Sequence, residues 1–429
     1  MNIIDMYVEW ASHSCDAPEI YHKTCAYWVI STLLGRYVNI ITSYTTRGIR
    51  PNIWSLLLGP SRIVRKSTAM EMAEGIVEAI NPDQKLAASF TPEALYEILN
   101  GMQRGDSGYW VKDEFGGFFK MLQKKYMWGI REILSAIYMG RGEKRQLRNL
   151  TLVIPSGIYI TTLGTLPTPA HIYFEEEDFS SGFLNRFIIA YAKERNKKIP
   201  LLHNDPTLEA KKNDIIYKLT DFMNELKILS PAVISFSSET VKNLENYDEW
   251  IESELKRIEE SNPESLWKLY LAETPNLLLK LCVLRRLGRG NFRRGIIVVE
   301  DEDFVKAKEY LDEIVSCARE VVVEVQTSPR PRELLTEEKA LNKICDIIYT
   351  KGSEGVKFSE LLTSTSILKS ELIKFLETLI DQGRIISIQG KSTAKGGRKP
   401  IIFYPSKYEA EVIMYGKKLS SNEMKIVLS

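Results

Sequence analysis

The chain has 429 residues, 44% of them hydrophobic, and its 57 Lys and Arg nearly balance 56 Asp and Glu, for a formal charge of +1. That length predicts two or three domains with a sizeable core, and the charge balance excludes a global field drawing in nucleic acid or membrane, so either partner would need local basic patches. The five cysteines (Cys15, Cys25, Cys282, Cys317, Cys345) form no CxxC pair and the four histidines are dispersed, which argues against a zinc site or disulfide framework and fits a reducing compartment.

Residues 1–48 read as a helical N-terminal segment, with "PEIYHKTCAYWVISTLLGRYV" placing apolar and aromatic residues at helical spacing. The opening "MNIIDMYVEWASHSCDAPEIY" carries acidic and polar residues early, unlike a signal peptide. No segment approaches the ~18 apolar residues of a membrane helix. A soluble, cytoplasmic protein without a membrane partner is expected.

Residues 49–203 read as an α/β core. Ile53–Leu58 is a short apolar run without alternation, as in a strand buried on both faces of a parallel sheet. A helix from Ser67 to Asn81-Pro82 follows, then a helix in "FTPEALYEILNG" with Thr91 as N-cap and Gly101 at the C-cap. "SGYWVKDEFGGFF" is a second strand ending in Asp113 and Glu114, and "GIREILSAIYMG" is a helix. "EKRQLRNLTLVIPSG" suits a polar hairpin, "IYITTLGTLPTP" a third strand, and "SSGFLNRFIIAYAKE" a turn entering a further strand. Residues 204–325 read as helical throughout, a lid subdomain after the core. The proline-bearing, mixed-charge stretch 326–338 is the predicted linker. Residues 339–408 show three helices and then two strands around a basic glycine-rich loop, the order of a winged helix; 409–429 is left as a tail. The expected fold class is therefore α/β: a core whose strand–loop–helix order over 53–81 is the context a P-loop requires, with a helical N-terminal segment and lid, followed by a winged helix.

The stretch "LLLGPSRIVRKSTAMEMA" (56–73) carries the first candidate site. A Walker A loop, G-x-x-x-x-G-K-[ST], directs successive backbone N–H groups and a helix N-terminus at phosphate, adds a lysine charge, and supplies a hydroxyl to Mg²⁺. Lys66, Ser67 and Thr68 stand in place. Gly59 sits one residue early, Ser61 lies within the loop, and Arg65 replaces the glycine that a close approach or a left-handed backbone would demand. Arg65 either reaches the phosphates as a second cation, the favoured expectation, or points away and braces the longer loop. A basic helix N-terminus with no ligand is the plain alternative. The carboxylates Asp113 and Glu114 at the end of the next strand fit a Walker B pair, one for Mg²⁺ and one for the attacking water, although Lys112 interrupts the apolar run.

Four pieces in order, "RPNIWSLLLGPS…RKSTA", "SGYWVKDEFGGFF", "YITTLGTLPTP" and "SSGFLNRFIIAY", resemble a family of P-loop proteins of viruses, plasmids and integrated elements. That family is in turn similar to AAA+ ATPases, including the minichromosome-maintenance type of replicative helicase. The resemblance spans about Ile20 to Ala192. It implies Lys66 and Ser67 as Walker A residues, with Gly59, Ser61, Arg65 and Thr68 also about the nucleotide. It implies Asp113 and Glu114 as Walker B, with Ser67 and Asp113 holding Mg²⁺. It makes "YITTLGT" a sensor-1 strand in which Thr165 or Thr162 faces the γ-phosphate, although threonines are also ordinary strand formers. "FLNRF" resembles the "LSRFD" segment whose arginine completes a neighbouring subunit's site, which places Arg186 in that role; Ile188 departs from the aspartate of that pattern. For a sensor-2 cation in the lid the candidates are Lys268 and Lys280.

Two basic features suit nucleic-acid phosphates: Arg141, Lys144, Arg145 and Arg148 before the third strand, and Lys391, Lys395, Arg398 and Lys399 in the wing. Each is otherwise a solvated charged loop. The function these readings imply is an ATP- and Mg²⁺-dependent, DNA-acting motor or replication ATPase of helicase type, encoded by a mobile element or virus and working as a ring, possibly hexameric. The alternative is a non-enzymatic DNA-binding initiator or regulator with a structural or degenerate nucleotide site.

Overall fold

The computed structural model describes residues 1–42, 45–90, 92–122, 129–146, 151–195, 198–199, 205–230, 232–292, 296–328, 337–365, 367, 369–390 and 399–428. Thr91 lies outside the described residues. Two compact units divide the chain, Met1–Ser328 and Pro329–Ser429, and the division falls inside the predicted linker.

The first unit holds strands β1 (Val38–Thr42), β2 (Thr45–Ile49), β3 (Trp54–Gly59), β4 (Ser107–Lys112), β5 (Glu143–Gln146), β6 (Thr151–Ile154), β7 (Tyr159–Pro167), β8 (Phe187–Tyr191), β9 (Ala232–Phe236) and β10 (Ile296–Val299). The apolar run of β3 is buried along its whole length, as its lack of alternation requires. Successive side chains serve opposite faces: Leu57 joins one core, and Trp54, Leu56 and Leu58 the other. β3 and β7 are central in an all-parallel sheet of order β4-β7-β3-β8. Helices Glu19–Leu34 and Lys66–Ile80 cover one face; Gly116–Leu122, Ile130–Tyr138 and Asp301–Thr327 lie on the other. This is a three-layer α/β arrangement with a buried parallel sheet. The order reverses at β3, since β4 and β7 lie to one side of it and β8 to the other. Open α/β sheets take their ligands at such a point, beyond the carboxyl ends of the strands.

A second sheet, of order β10-β9-β1-β2, corrects the helical reading of 1–48 and 204–325. β9 lies between β1 and β10 and is parallel to both. "AVISF" and "IIVV" are each only four or five residues long, and helices of 24 to 27 residues surround them and dominate the pattern. The ends of the unit are further tied by Arg285, whose guanidinium grips both carboxylate oxygens of Asp5 at 2.7 and 2.5 Å. The predicted N-terminal segment and lid thus share one core with the strands between them.

In the second unit, helices Glu337–Lys351, Phe358–Thr365 and Lys369–Asp381 accompany strands β11 (Val356–Lys357), β12 (Ile385–Gly390), β13 (Ile401–Pro405) and β14 (Gly416–Leu419). The sheet is antiparallel, of order β11-β13-β12-β14. Ile344, Leu361, Leu372, Leu376, Phe403 and Met424 are among its core residues. Residues 409–429 are not a tail: β14 pairs with β12, and helix Ser421–Leu428 buries Met424.

Candidate functional site

The carboxyl ends of β3, β4 and β7 bring five predicted residues together. Past β3 the chain turns through 60–65 and enters helix Lys66–Ile80. Gly59 ends the strand where nothing larger fits: a Cβ there would lie 2.4 Å from the Ala192 carbonyl oxygen and 2.6 Å from the Tyr21 hydroxyl. The Tyr21 hydroxyl donates to the Leu58 carbonyl, which fixes the strand end from helix Glu19–Leu34. Lys66 is buried, 7% exposed, and its Nζ folds back to donate to the carbonyls of Gly59 (2.6 Å) and Pro60 (3.3 Å). Burial lowers its pKa from the ordinary lysine value, against the opposing pull of Asp113 and Glu114. Ser61 and Thr68 are exposed at the same mouth.

The Ser67 hydroxyl donates to both carboxylate oxygens of Asp113, at 3.0 and 3.1 Å. Thr165 Oγ1 donates to Asp113 as well and accepts from the Glu114 N–H at 3.1 Å. Thr165 therefore belongs to the cluster. Thr162 falls on the other face of β7, where it lines an apolar space with Trp54 and Trp110. Glu114 is exposed and takes a left-handed backbone, φ 56°, an uncommon conformation for a side chain of its size. Phe115 next to it packs where Gly164 leaves room; a Cβ there would lie 2.1 Å from the Phe115 ring.

Arg65 takes the left-handed backbone expected of the missing glycine, φ 53°, ψ 35°. Its guanidinium turns to Asp16, 3.4 Å away, and Asp16 also pairs with Arg195 at 2.7 Å. The structure thus has Arg65 bracing the loop. Left-handed backbone costs a residue with a Cβ ~1–2 kcal/mol, whereas the longer contact of the exposed Arg65 with the buried Asp16, which keeps Arg195 as its closer partner, contributes ~0–1 kcal/mol. Arg65→Gly is therefore expected to hold or raise unfolding free energy, by up to ~1 kcal/mol. Urea unfolding checks this, and a clear loss would contradict it.

Arg186 does not join this cluster. It precedes β8, beside the start of β3, where Trp54 pairs with Phe187. The length of β3, ~17 Å over its six residues at ~3.3 Å per step, separates it from Lys66. Its guanidinium donates to the Gly182 carbonyl and lies 6.0 Å from the centre of the Tyr138 ring. Neither lid lysine reaches the cluster. Lys268 pairs with Glu259 and the Pro263 carbonyl, and Lys280 is buried beside Asn52, before β3 begins.

Beyond β8 a cleft of about 480 Å³ opens, lined by Pro18, Ile20, Lys23, Tyr191, Lys193 and Glu313 among others. Its wall at Tyr191–Ala192 is the segment that meets Gly59, so the cleft adjoins the loop, and its volume lies within the range of small-molecule sites. Tyr21, Asp16 and Arg195 were not foreseen. They lie outside any motif, and only the folded chain brings them to the loop.

Ser67 and Asp113 present hard oxygen donors, the type Mg²⁺ prefers, and Mg²⁺ commonly takes one or two carboxylates with substrate phosphate completing its shell. No group of three or more His, Cys, Asp or Glu among the described residues is placed to hold a metal without such a substrate. No helix among the described residues is long and apolar enough to cross a membrane, and all five cysteines are free.

Of the basic candidates, Arg141 and Lys144 are exposed at the start of the β5–β6 hairpin, and Lys399 is exposed before β13. The side chain of Arg145 and all of Arg148, Lys391, Lys395 and Arg398 lie outside the described residues.

The fold and site define an α/β protein with a lysine, a serine–aspartate pair and a buried threonine gathered at the carboxyl ends of a parallel sheet. No protein-family model matches the sequence, and no curated protein matches it.

Proposed function

We propose that the protein is an ATP-hydrolysing, DNA-acting motor or replication ATPase of the AAA+ helicase type. The observation that carries this reading is the contact of Ser67 with both oxygens of Asp113, beside Lys66 and Thr165, at the sheet's switch point. A serine at a helix start and an aspartate from the next parallel strand but one meet where Mg²⁺ and a triphosphate would bind. In this reading the 60–65 loop and the first turn of helix Lys66–Ile80 cradle phosphate. Lys66 neutralises charge there, Ser67 and Asp113 hold Mg²⁺, and the base and ribose extend into the cleft along Tyr191. Bound Mg²⁺ would neutralise phosphate charge. Glu114, exposed beside Asp113, orients water, and Thr165 fixes the Asp113 carboxylate and the Glu114 backbone. Arg186 serves the site of a neighbouring copy, which makes the active form an oligomer. The second unit, in which helices Glu337–Lys351, Phe358–Thr365 and Lys369–Asp381 precede an antiparallel strand pair, is read as a winged helix that holds DNA.

The non-enzymatic reading draws on one observation, the pairing of Arg65 with Asp16 rather than its aim at the cluster. DNA-stimulated ATP hydrolysis decides between the two. The parent is expected to turn over, with Lys66→Ala and Glu114→Gln lowering the rate by about 10²-fold or more. Equal background turnover in all three would exclude the enzyme.

A further inference from the structure

A group of arginines at the other end of the main sheet has no assigned role. Arg50 Nη1 donates to the Arg36 carbonyl at 3.2 Å. Arg50 Nη2 and Arg104 Nε lie 3.9 and 4.0 Å from the point where a Cβ on Gly157 would sit, so the two guanidinium groups flank one glycine. The Arg36 guanidinium lies 5.0 Å from the centre of the Tyr37 ring, and Arg36 and Arg50 both act on the buried Tyr159 hydroxyl, each drawing its pKa down against the larger effect of burial. Among the described residues no carboxylate pairs with Arg36, Arg50 or Arg104. Asp106, two residues from Arg104, instead accepts from the Gln103 N–H at 2.7 Å. Partly burying one guanidinium beside another with no counter-charge is unfavourable, and a bound anion would reverse the sign. In a chain of net charge +1 such a grouping is local rather than a by-product of general basicity.

The neighbouring structure indicates which anion. The Gly157 N–H donates to the Gly140 carbonyl at 3.0 Å, at the base of the β5–β6 hairpin. The exposed Arg141 and Lys144 stand on that hairpin, so the cations continue outward from the cluster. Guanidinium forks match phosphate oxygens two at a time, and a line of cations suits a line of phosphates. We propose that Arg36, Arg50 and Arg104 form a phosphate-binding site for a nucleic-acid backbone at the foot of this hairpin. The proposal extends the nucleic-acid half of the function above and does not depend on the nucleotide site.

The test uses the full chain and a labelled single-stranded oligonucleotide, with affinity measured over a series of salt concentrations. Arg36→Gln combined with Arg104→Gln, which leaves the more buried Arg50 in place, is expected to weaken binding about tenfold at low salt and to flatten the slope of log K against log salt by about 1.4, or ~0.7 per lost phosphate contact. The control is Lys242→Gln with Lys256→Gln, two exposed lysines of helix Ser238–Ser261 with the same change in net charge; it should leave both quantities near those of the parent. Unchanged affinity and slope in the arginine variant, or an equal loss in the control, would overturn the proposal. Equal thermal melting of parent and arginine variant establishes that the fold is intact. Nucleotide binding, followed in the same samples, is expected to be unaffected; its absence from the parent would count against the nucleotide site alone.

Discussion

Arg186→Ala is expected to cut nucleotide turnover by about 10³-fold or more while leaving nucleotide affinity close to that of the parent. The reason is positional. Lys66, Ser67 and Asp113 gather beyond the carboxyl ends of the strands, whereas Arg186 stands before β8, at the opposite end of the same sheet. Within one chain its contacts are modest, a carbonyl at Gly182, the Tyr138 ring, and the Met139 sulfur at 3.9 Å. Its charge also acts on the half-buried Glu273 carboxylate, and in the proposed oligomer a guanidinium this far from its own chain's cluster would serve the site of a neighbour. Mixing Arg186→Ala with Lys66→Ala protein is then expected to restore turnover, because an intact Lys66 from one copy can meet an intact Arg186 from the other. Turnover that survives in Arg186→Ala, or mixtures that stay inactive while the parent works, would exclude this role.

Lys280→Ala is expected to lower stability strongly, by ~2–5 kcal/mol, because it empties a buried site and leaves two carbonyl acceptors without a donor. Lys280 is only 3% exposed, and its ammonium donates to the backbone and side-chain carbonyls of Asn52 at 3.0 and 3.1 Å and lies 3.7 Å from the centre of the Tyr138 ring. Removing it strands both Asn52 acceptors and leaves a cavity beneath the start of β3. For a unit of this size that corresponds to a fall in melting temperature of ~5 °C. Lys280→Met keeps most of the stem and should cost less. Burial pushes the Lys280 pKa down to about 7, with Glu273 opposing and Arg186 adding to the shift. The unfolded chain holds its lysine proton up to ~10.4, so between these values it binds more protons than the folded one and stability rises with pH. The Lys280 contribution is full above the unfolded pKa and is lost as pH falls towards 7. The cost of Lys280→Met is therefore expected to grow from pH 7 towards pH 10 in denaturant titrations, and a cost that shrinks over that range would contradict the account.

The cluster around Lys66 was legible because its parts are local: an unbroken apolar run, a loop, a lysine–serine pair at a helix start, then a strand ending in two carboxylates. Each leaves a mark within a dozen residues. Which of Thr165 and Thr162 stands beside Asp113 was not legible: three residues apart, they occupy opposite faces of β7, and only the packing of the sheet shows which face Asp113 approaches. Asp16 and Arg195 answer the question posed by Arg65, yet they are far from it in sequence and belong to no pattern. β9 and β10 were lost between long amphipathic helices, and with them the fact that the chain's first and later parts share a sheet. Lys280 was a sensor-2 candidate only through the family resemblance; its burial against Asn52 and Tyr138 depends on how helix Thr274–Leu287 packs, which its apolar spacing does not reveal.

The central claim is that Lys66, Ser67 and Asp113 form a site for a magnesium-bound nucleoside triphosphate. Calorimetric titration with a non-hydrolysable ATP analogue, with and without Mg²⁺, tests it most directly. The parent is expected to bind one analogue per chain in a Mg²⁺-dependent manner, Lys66→Ala to lose binding, and Asp113→Ala to lose the dependence on Mg²⁺. A parent that binds no analogue, or a Lys66→Ala protein that binds as the parent does, would contradict it.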